Sequence, residues 1–311
     1  MNPVEGILGR RSFMVLDGAL GTEVSRRGFD TNDSLWSAKA LYENPDLIRA
    51  VHRDYYDAGA DVCTSASYQA SVPAFLAKGF SRGEAEDLIR LSVRLAREAR
   101  DGSWEARGGE KGDKPLVAAS VGPYGAYLAD GSEYTGAYAL SRSELQRFHS
   151  ERIGLLAEEH PDLFAVETLP LLREAEAVLD ELRNYPDVSC WVSFSCRDAG
   201  RTCGGDPVRE CAAALDSNPQ VAAIGVNCTA PQFVSSLIRE VRKGTGKPVL
   251  CYPNTGESYN PATKTWFGSP IPYRAYVRLW YEAGARLIGG CCRTTPEDIR
   301  EIATFRASLE A

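Results

Sequence analysis

Short runs of apolar and β-branched residues recur along the chain, and each run is about as long as a β-strand. Most of them are continuous rather than alternating, which is typical of strands buried on both faces of a parallel sheet. We predict eight strands, at residues 13–17, 60–65, 116–121, 163–167, 189–195, 221–227, 248–252 and 286–290.

Amphipathic segments with helix-start signals separate these runs. Asn44, Asp206 and Thr295 each precede a proline, which places a capping side chain before a residue suited to the first helical position. Residues 81–84 and 141–144 match the capping-box pattern. Residues 101–115 are rich in glycine and charge, and we predict a solvated loop there.

The alternation of strands and helices predicts a single (β/α)8 (TIM) barrel over residues 1–311. An open, doubly wound sheet is the alternative. The first strand is not followed by Gly-x-Gly-x-x-Gly, and no Walker-type loop is present, which weakens that alternative. Residues 120–136 are rich in Gly and Tyr and directly follow a strand, so a barrel would place them on its active-site face.

Charge and composition narrow the class of protein. A net charge of −7 and a pI near 5.2 argue against nucleic acid or an anionic membrane as the main partner. No apolar run approaches the roughly 18–20 residues that span a bilayer, and the N-terminus lacks a secretory signal pattern. Nine scattered cysteines then predict a cytoplasmic protein with reduced thiols. Because there are only three histidines, a metal site would depend on sulfur.

Three of the cysteines lie at the ends of predicted strands. Cys228 follows the sixth strand, and Cys291 and Cys292 follow the eighth, so the barrel would bring them together at its mouth. Neighbouring side chains in a strand point to opposite faces. Cys291 and Cys292 can therefore share a metal only if the strand ends there, and we expect Gly289 and Gly290 to supply the conformational freedom.

Three thiolates would leave one tetrahedral position of a zinc ion open, which is typical of a catalytic site. The sequence nearby offers no fourth Cys or His, so the fourth ligand would be water, a side-chain oxygen or substrate. Buried thiols or a vicinal disulfide are the alternatives for the adjacent pair. We expect the remaining cysteines to be small buried residues: Cys63, Cys190, Cys196, Cys203, Cys211 and Cys251.

The segment GGCCRTTP, residues 289–296, resembles the homocysteine S-methyltransferase family. The resemblance extends in order along nearly the whole chain, through LDGALGTEV (16–24), DSLWSAKAL (33–41), TSASYQAS (64–71), SVGPYGAYLADGSEY (120–134), ETLP (167–170), GVNC (225–228) and YPNTGE (252–257). Within the family, DSLWSAK and GPYGAYLADGSEY resemble the branch that uses S-methylmethionine as methyl donor.

The resemblance implies a zinc-dependent barrel enzyme whose three cysteine ligands fall on Cys228, Cys291 and Cys292. It implies methyl transfer from S-methylmethionine, or from S-adenosylmethionine, to L-homocysteine, with methionine as product. It also places homocysteine-binding positions at Asp17, Gly18 and Glu167. A betaine-dependent transferase of the same family and a non-enzymatic zinc or redox thiol protein remain alternatives.

The residue types suit this chemistry. A free thiol has a pKa of about 8.5, and coordination to zinc deprotonates it at neutral pH. Asp17 and Glu167 end apolar strands and are suited to an ammonium group, although a helix cap or structural ion pair is the alternative.

A sulfonium donor is cationic, and Glu133 could add an anionic partner for it. Aromatic rings could surround it by cation–π contact, with ordinary packing as the alternative, and the candidates are Trp36, Tyr68, Tyr124, Tyr127 and Tyr134.

Overall fold

The computed structural model describes residues 2–109, 114–260 and 265–311. Its strands are β1 (Met14–Val15), β2 (Val62–Thr64), β3 (Leu116–Val121), β4 (Leu163–Leu169), β5 (Cys190–Phe194), β6 (Val221–Asn227), β7 (Val249–Tyr252), β8 (Ser258–Asn260), β9 (Thr265–Phe267) and β10 (Ala285–Ile288). Within the described part of the chain, no helix combines the length and apolar character that crossing a bilayer requires.

Helices occupy most of the chain between these strands. They are α1 (Pro3–Leu8), α2 (Leu20–Arg26), α3 (Ala40–Glu43), α4 (Pro45–Asp57), α5 (Val72–Ala77), α6 (Arg82–Ala106), α7 (Tyr124–Leu128), α8 (Arg142–Ala157), α9 (Leu172–Leu182), α10 (Val208–Asp216), α11 (Pro231–Gly244), α12 (Tyr273–Ala283) and α13 (Pro296–Glu310). Two 3₁₀ helices cover Trp36–Lys39 and Ser132–Tyr134.

Eight strands form one sheet in the order β1-β10-β7-β6-β5-β4-β3-β2, and every pairing in it is parallel. A parallel bridge between Leu16 and Val62 joins the two ends of this sheet. The predicted (β/α)8 barrel is therefore confirmed. The open-sheet alternative is wrong, because an open sheet would leave β1 and β2 as separate edges.

The strands separate two apolar layers, as expected for a sheet buried on both faces. The inner layer contains large side chains such as Trp191, Leu250 and Leu287, while alternate residues face the surrounding helices. Val4 and Ile7 of α1 belong to the inner layer, so α1 closes the N-terminal end of the barrel. The other end of the barrel is left for the loops that follow the strands.

All eight predicted strands are present at the predicted places, although β1 is shorter than expected. The capping boxes at Ser81 and Ser141 are confirmed, as are the caps at Asn44 and Thr295. The cap at Asp206 was wrongly predicted. Helix α10 begins two residues later, and the Asp206 carboxylate instead accepts a hydrogen bond from the backbone N–H of Leu172, 2.8 Å away.

Two other features differ from the sequence prediction. The segment at residues 101–115 is helical as far as Ala106, because it continues the amphipathic helix α6, and its residues 110–113 lie outside the described residues. An antiparallel hairpin of β8 and β9 follows β7, and the sequence analysis did not predict it.

Candidate metal centre and carboxylate site

The three predicted cysteines meet at the C-terminal mouth of the barrel. Each offers a sulfur atom within 4.8 Å of the other two, and the Sγ atoms of Cys228 and Cys292 are 3.5 Å apart. Cys228 and Cys292 are buried and Cys291 is half-buried. All nine cysteines are free thiols, so no vicinal disulfide joins the adjacent pair.

The backbone turns sharply at these residues. Strand β6 ends at Asn227, and Cys228 then adopts a left-handed conformation, with φ of +48°, that is uncommon for a residue with a side chain. Strand β10 ends at Ile288, before the adjacent cysteines, as the spacing requires. The N–H of Cys291 donates to Pro253 O (2.9 Å), and Cys292 O accepts from Thr255 N (3.2 Å). The loop after β7 therefore holds both thiols in place.

Gly289 and Gly290 are needed for a different reason from the one predicted. Neither has a positive φ; the left-handed residue of this turn is Arg293, with φ of +73°. A Cβ atom on Gly289 would lie 2.5 Å from Leu16, and one on Gly290 would lie 2.4 Å from Thr294. Gly289 allows the last loop of the barrel to approach the first closely, and Gly290 allows the last loop to fold back on itself at Thr294.

The donor set fits a thiophilic divalent cation. Zinc–sulfur bonds of about 2.3 Å in a tetrahedral site place sulfur atoms about 3.8 Å apart, close to the observed spacing. Without a cation, the hydrogen bond from Cys228 lowers the pKa of Cys292 well below its usual range, whereas the contact with Cys228 raises the pKa of Cys291. A dication would allow all three to be thiolates.

A second group of possible ligands among the described residues consists of Asp17, His52 and Cys63. It suits a thiophilic metal less well, because it offers a single thiol, which already contacts the backbone carbonyl of His52 at 3.8 Å. The Asp17 carboxylate is also engaged by Thr64. The three-cysteine cluster is the better candidate for a metal site.

Asp17 lies just beyond β1, beside the mouth of the barrel. Its carboxylate accepts hydrogen bonds from Thr64 N (2.8 Å) and Thr64 Oγ1 (3.1 Å). Burial nevertheless raises the pKa of Asp17 well above its usual range, and the charge of Glu167 adds to the increase. The two carboxyl groups therefore repel each other, and no cationic side chain offsets either one in the ion pairs that the described residues form.

Glu167 projects from β4 and is held from two sides. It accepts hydrogen bonds from the hydroxyl groups of Ser120 on β3 and Tyr252 on β7, the latter at 3.1 Å. Tyr252 is itself oriented by Ser193 (2.6 Å) and Trp191 (3.1 Å). Burial raises the pKa of Glu167 to about 7 in spite of these hydrogen bonds.

Gly18 lies where no side chain could be accommodated. A Cβ atom there would lie 2.8 Å from the ring of Tyr55 and 2.9 Å from Thr294 Oγ1. The Tyr55 hydroxyl donates to Ala19 O at 3.1 Å, which ties the first loop to helix α4. Gly18 therefore keeps bare backbone beside Asp17.

Glu133 and Tyr134 lie on the 3₁₀ helix of the loop after β3, within the predicted active-site segment. The Tyr134 hydroxyl is 3.2 Å from Cys228 Sγ. Glu133 Oε2 is buried and has no hydrogen-bond partner, and burial raises the pKa of this carboxyl to about 7, with the nearby Cys228 charge adding to the increase. Tyr68 lies near Glu133 and Cys228. Burial raises the pKa of Tyr68 well above its usual range, and the charges of Glu133 and Cys228 add to the increase.

The structure separates the remaining aromatic candidates. Tyr124 and Tyr127 pack against Phe148 of α8, with ring centroids 4.9 and 5.3 Å away. Trp36 is half-buried with φ of +46°, and its indole lies on Gly21 of α2. Within the described part of the chain, the hydrogen bonds of the cysteine cluster do not involve Trp36.

Asn227 is an additional candidate residue that the sequence analysis did not single out. Its fully buried amide accepts from Thr168 N and Ser193 Oγ, both at 2.8 Å, and donates toward Cys291 Sγ at 4.0 Å. It thereby connects three strand ends behind the thiols. The available signal was a carboxamide ending an otherwise apolar strand, directly before Cys228.

The other six cysteines follow the prediction with one exception. Five are buried, and Cys203 is only half-buried. Burial raises the pKa of Cys251 and Cys190, which suits unreactive thiols in the core.

Comparison with known proteins places this site in a family. The family model described as homocysteine S-methyltransferase matches residues 14–305. Homocysteine S-methyltransferase YbgG of Bacillus subtilis is 51% identical, over 100% of this chain and 99% of its own length. Homocysteine S-methyltransferase of Escherichia coli is 46% identical, with 96% of each chain covered.

A solved structure agrees with the sequence comparison. The metallated form of the Escherichia coli homocysteine methyltransferase MmuM superposes with a TM-score of 0.89 at 44% identity, covering 98% of this chain and 100% of the other. The shared barrel and the extent of identity lead to one conclusion. This chain belongs to the homocysteine S-methyltransferase family.

Proposed function

We propose that this enzyme uses a zinc ion held by Cys228, Cys291 and Cys292 to transfer a methyl group from S-methylmethionine to homocysteine. The acceptor follows from the family: the enzyme methylates the sulfur of homocysteine and forms methionine. The observation that carries the proposal is that Cys228 of the thiol cluster lies near enough to two separate buried carboxyl groups, those of Glu167 and Glu133, for its charge to raise the pKa of both.

The three cysteines fit the thiol chemistry. When bound, zinc would supply the positive charge that keeps the homocysteine thiol deprotonated at neutral pH. Because the cysteines are thiolates rather than neutral imidazoles, they would keep the substrate sulfur rich in electrons. The Tyr134 hydroxyl, 3.2 Å from Cys228 Sγ, supports this tyrosine as the oxygen ligand of the resting site.

Asp17 and Glu167 are suited to the ammonium group of homocysteine. Both carboxyl groups are buried and each raises the energy of the other's charge, so a cation between them would restore full ionisation. Gly18 leaves the neighbouring backbone free of a side chain, which supports close approach of the amino acid.

Glu133 is suited to the donor. Its unpartnered oxygen offers a negative charge to a sulfonium, and Tyr68 and Tyr134 offer aromatic faces beside it. We place Trp36, on the 3₁₀ helix that follows α2, at the edge of the same pocket. These groups would hold the donor methyl toward the thiol cluster.

The reaction itself is a single displacement. The homocysteine sulfur attacks the methyl carbon, a carbon–sulfur bond forms, and the electron pair of the broken bond remains on the donor sulfur. With S-methylmethionine, both products are neutral methionine thioethers. Since opposite charges cancel along this path, a site shielded from water favours it.

The donor is tested by measuring methionine formation from homocysteine with S-methylmethionine, S-adenosylmethionine and betaine in parallel. We expect the largest kcat/KM with S-methylmethionine, a smaller one with S-adenosylmethionine and none with betaine. Betaine is a quaternary ammonium whose product is a tertiary amine, so turnover with betaine alone would contradict the sulfonium proposal.

The metal is tested with Cys292→Ser. We expect about one equivalent of zinc in the wild type, and loss of both zinc and activity in the variant. Cys211→Ala, which removes a buried thiol outside the cluster, is the matched control and should keep both. Full activity of Cys292→Ser would contradict the metal mechanism, and zinc without any methyl transfer in the wild type would favour a non-enzymatic thiol protein.

A further inference from the structure

A cluster of buried charged residues lies behind the loops of the site, between helices α8 and α9. His149 and Arg152 project from α8, and Glu174 projects from α9; their exposed fractions are 0%, 3% and 0%. His149 Nε2 is 2.9 Å from Glu174 Oε1, and Arg152 Nη2 is 2.7 Å from His149 Nδ1. None of these residues belongs to the reaction described above.

The contacts fix the protonation pattern of the cluster. Arginine has no acceptor, so His149 Nδ1 accepts from Arg152 and the ring proton resides on Nε2, which donates to Glu174. Burial lowers the pKa of His149, in keeping with a neutral ring. Burial lowers the pKa of Arg152 to about 10, which leaves it cationic at neutral pH. A neutral imidazole thus bridges a cation and a carboxylate.

The guanidinium of Arg152 joins two loops of the barrel mouth. It donates to the carbonyl of Tyr68, after β2, at 3.1 Å, and to the carbonyl of Gly122, after β3, at 2.7 Å. The two loops also touch at this point, because a Cβ atom on Gly122 would lie 2.6 Å from Tyr68. One cation therefore sets how these loops sit relative to each other.

Glu174 holds the next part of the same segment. Its Oε1 atom accepts from the backbone N–H of Tyr124, at the start of α7, at 2.6 Å, and its Oε2 atom accepts from the Tyr138 hydroxyl. Helix α7 lies directly on the 3₁₀ helix of the site, since a Cβ atom on Gly125 would lie 2.4 Å from Glu133 N. Contacts thus run without a gap from Glu174 to Glu133.

The hydrogen bonds of Arg152 and Glu174 to loop backbone atoms indicate a role other than stabilising the core. A buried ion pair is weak evidence for stability, because apolar side chains of similar size stabilise a core as well or better. Here the cation and the carboxylate contact the backbone of two loops, and those loops carry Tyr68, Glu133 and Tyr134. The homocysteine side is held differently, by strand residues such as Thr64 and Ser120.

We propose that Arg152, His149 and Glu174 are positioning residues for the methyl-donor half of the site. They hold the loops after β2 and β3 so that Tyr68, Glu133 and Tyr134 line the sulfonium pocket. The inference rests on the proposed function in one respect, namely that this half of the site binds the donor. It concerns residues that touch neither substrate nor metal.

The test compares Arg152→Lys with wild type. Lysine keeps the charge but cannot donate to two carbonyls and the imidazole in one plane. We expect the donor KM to rise about tenfold, while the homocysteine KM and zinc content change less than twofold. Arg90→Lys, in the α6–α8 ion pair with Glu158, is the matched control and should change none of them.

A second variant guards against a folding defect. Arg152→Met/Glu174→Gln removes both charges together, so no charge is left buried without a partner. We expect the same selective rise in donor KM. Similar increases of both KM values in the two variants, or loss of activity in proportion to lower thermal stability, would overturn the positioning role.

Hydrogen exchange provides a readout that does not depend on the donor. In Arg152→Lys, the amides of residues 122–138 should exchange at least about tenfold faster, and those of residues 225–228 should keep the wild-type rate. Unchanged exchange at residues 122–138 would overturn the proposal. The two proposals can fail separately. If the wild type transfers no methyl group from any sulfonium donor, while residues 122–138 of Arg152→Lys still exchange faster, the proposed donor is wrong and the positioning role of Arg152 is retained.

Discussion

Glu167 and Glu133 flank the same thiol cluster, and burial raises the pKa of each to about 7. Their surroundings differ. Glu167 stands on β4 and accepts hydrogen bonds from hydroxyl groups on β3 and β7, whereas Glu133 stands on a loop and has one buried oxygen without a hydrogen-bond partner. The two pKa values are therefore similar although the supports differ. The barrel strands hold the carboxyl group of Glu167, whereas the position of the Glu133 carboxyl group depends on the contacts that hold its loop.

The difference supports the proposal that the two carboxyl groups bind different substrates, Glu167 the amino acid and Glu133 the methyl donor. A strand-borne carboxyl group is fixed by the ladder of the sheet, which suits recognition of the ammonium group common to all amino acids. A loop-borne carboxyl group moves with its loop, which suits the part of the site where relatives of one fold differ.

The largest expected effect is that of Glu167→Gln on homocysteine. Removing one carboxylate from a buried charge contact costs about 2–5 kcal/mol, so we expect the homocysteine KM to rise about 100-fold. The donor KM should change by less than about threefold. Steady-state kinetics with each substrate varied in turn measures both. Equal increases for the two substrates would remove the distinction between the halves.

A smaller effect is expected for Glu133→Gln on the donor. Because Glu133 is only half-buried, loss of the charge should raise the donor KM about tenfold and leave the homocysteine KM within about twofold. Asp130→Asn is the matched control: it makes the same charge change on an exposed residue of the same loop. A larger rise in the homocysteine KM than in the donor KM would place Glu133 in the other half.

A further effect, on stability rather than on binding, concerns proton linkage in the metal-free, substrate-free enzyme. A carboxyl group whose pKa is raised on folding stabilises the protein most below its unfolded pKa, near 4.5, and this contribution is lost as pH rises through about 7. For Glu167 the contribution is on the order of 3 kcal/mol at most. The Tm should therefore fall between pH 5 and pH 8.

The two glutamine variants sharpen that result. Each should show a shallower fall of Tm with pH than the wild type, and Glu167→Gln should flatten it more, because Glu133 is only partly buried. Thermal denaturation of the metal-free enzyme, kept in a chelator from pH 5 to pH 8, measures the slopes without the pH dependence of zinc binding. An unchanged fall of Tm in either variant would mean that its carboxyl group is already ionised in the folded protein over this range.

Much of the fold could be predicted because local signals agree with the barrel. The continuous apolar runs predicted eight strands, and the capping boxes at Ser81 and Ser141 predicted helix starts. The failure at Asp206 has a tertiary cause, because its carboxylate caps the Leu172 N–H of another segment rather than its own helix. The helix as far as Ala106 was missed because its last residues are polar.

By itself, the sequence determined the barrel and the three thiols at its mouth, because strand ends in a parallel barrel converge whatever the intervening loops do. Long-range packing decided which side chains join them. Tyr134 reaches the thiol cluster while Tyr124 and Tyr127 pack on Phe148, although the sequence presents all three as tyrosines of one glycine-rich segment. Buried contacts between distant segments, such as those of Asn227 and Arg152, set that arrangement, and no local pattern encodes them.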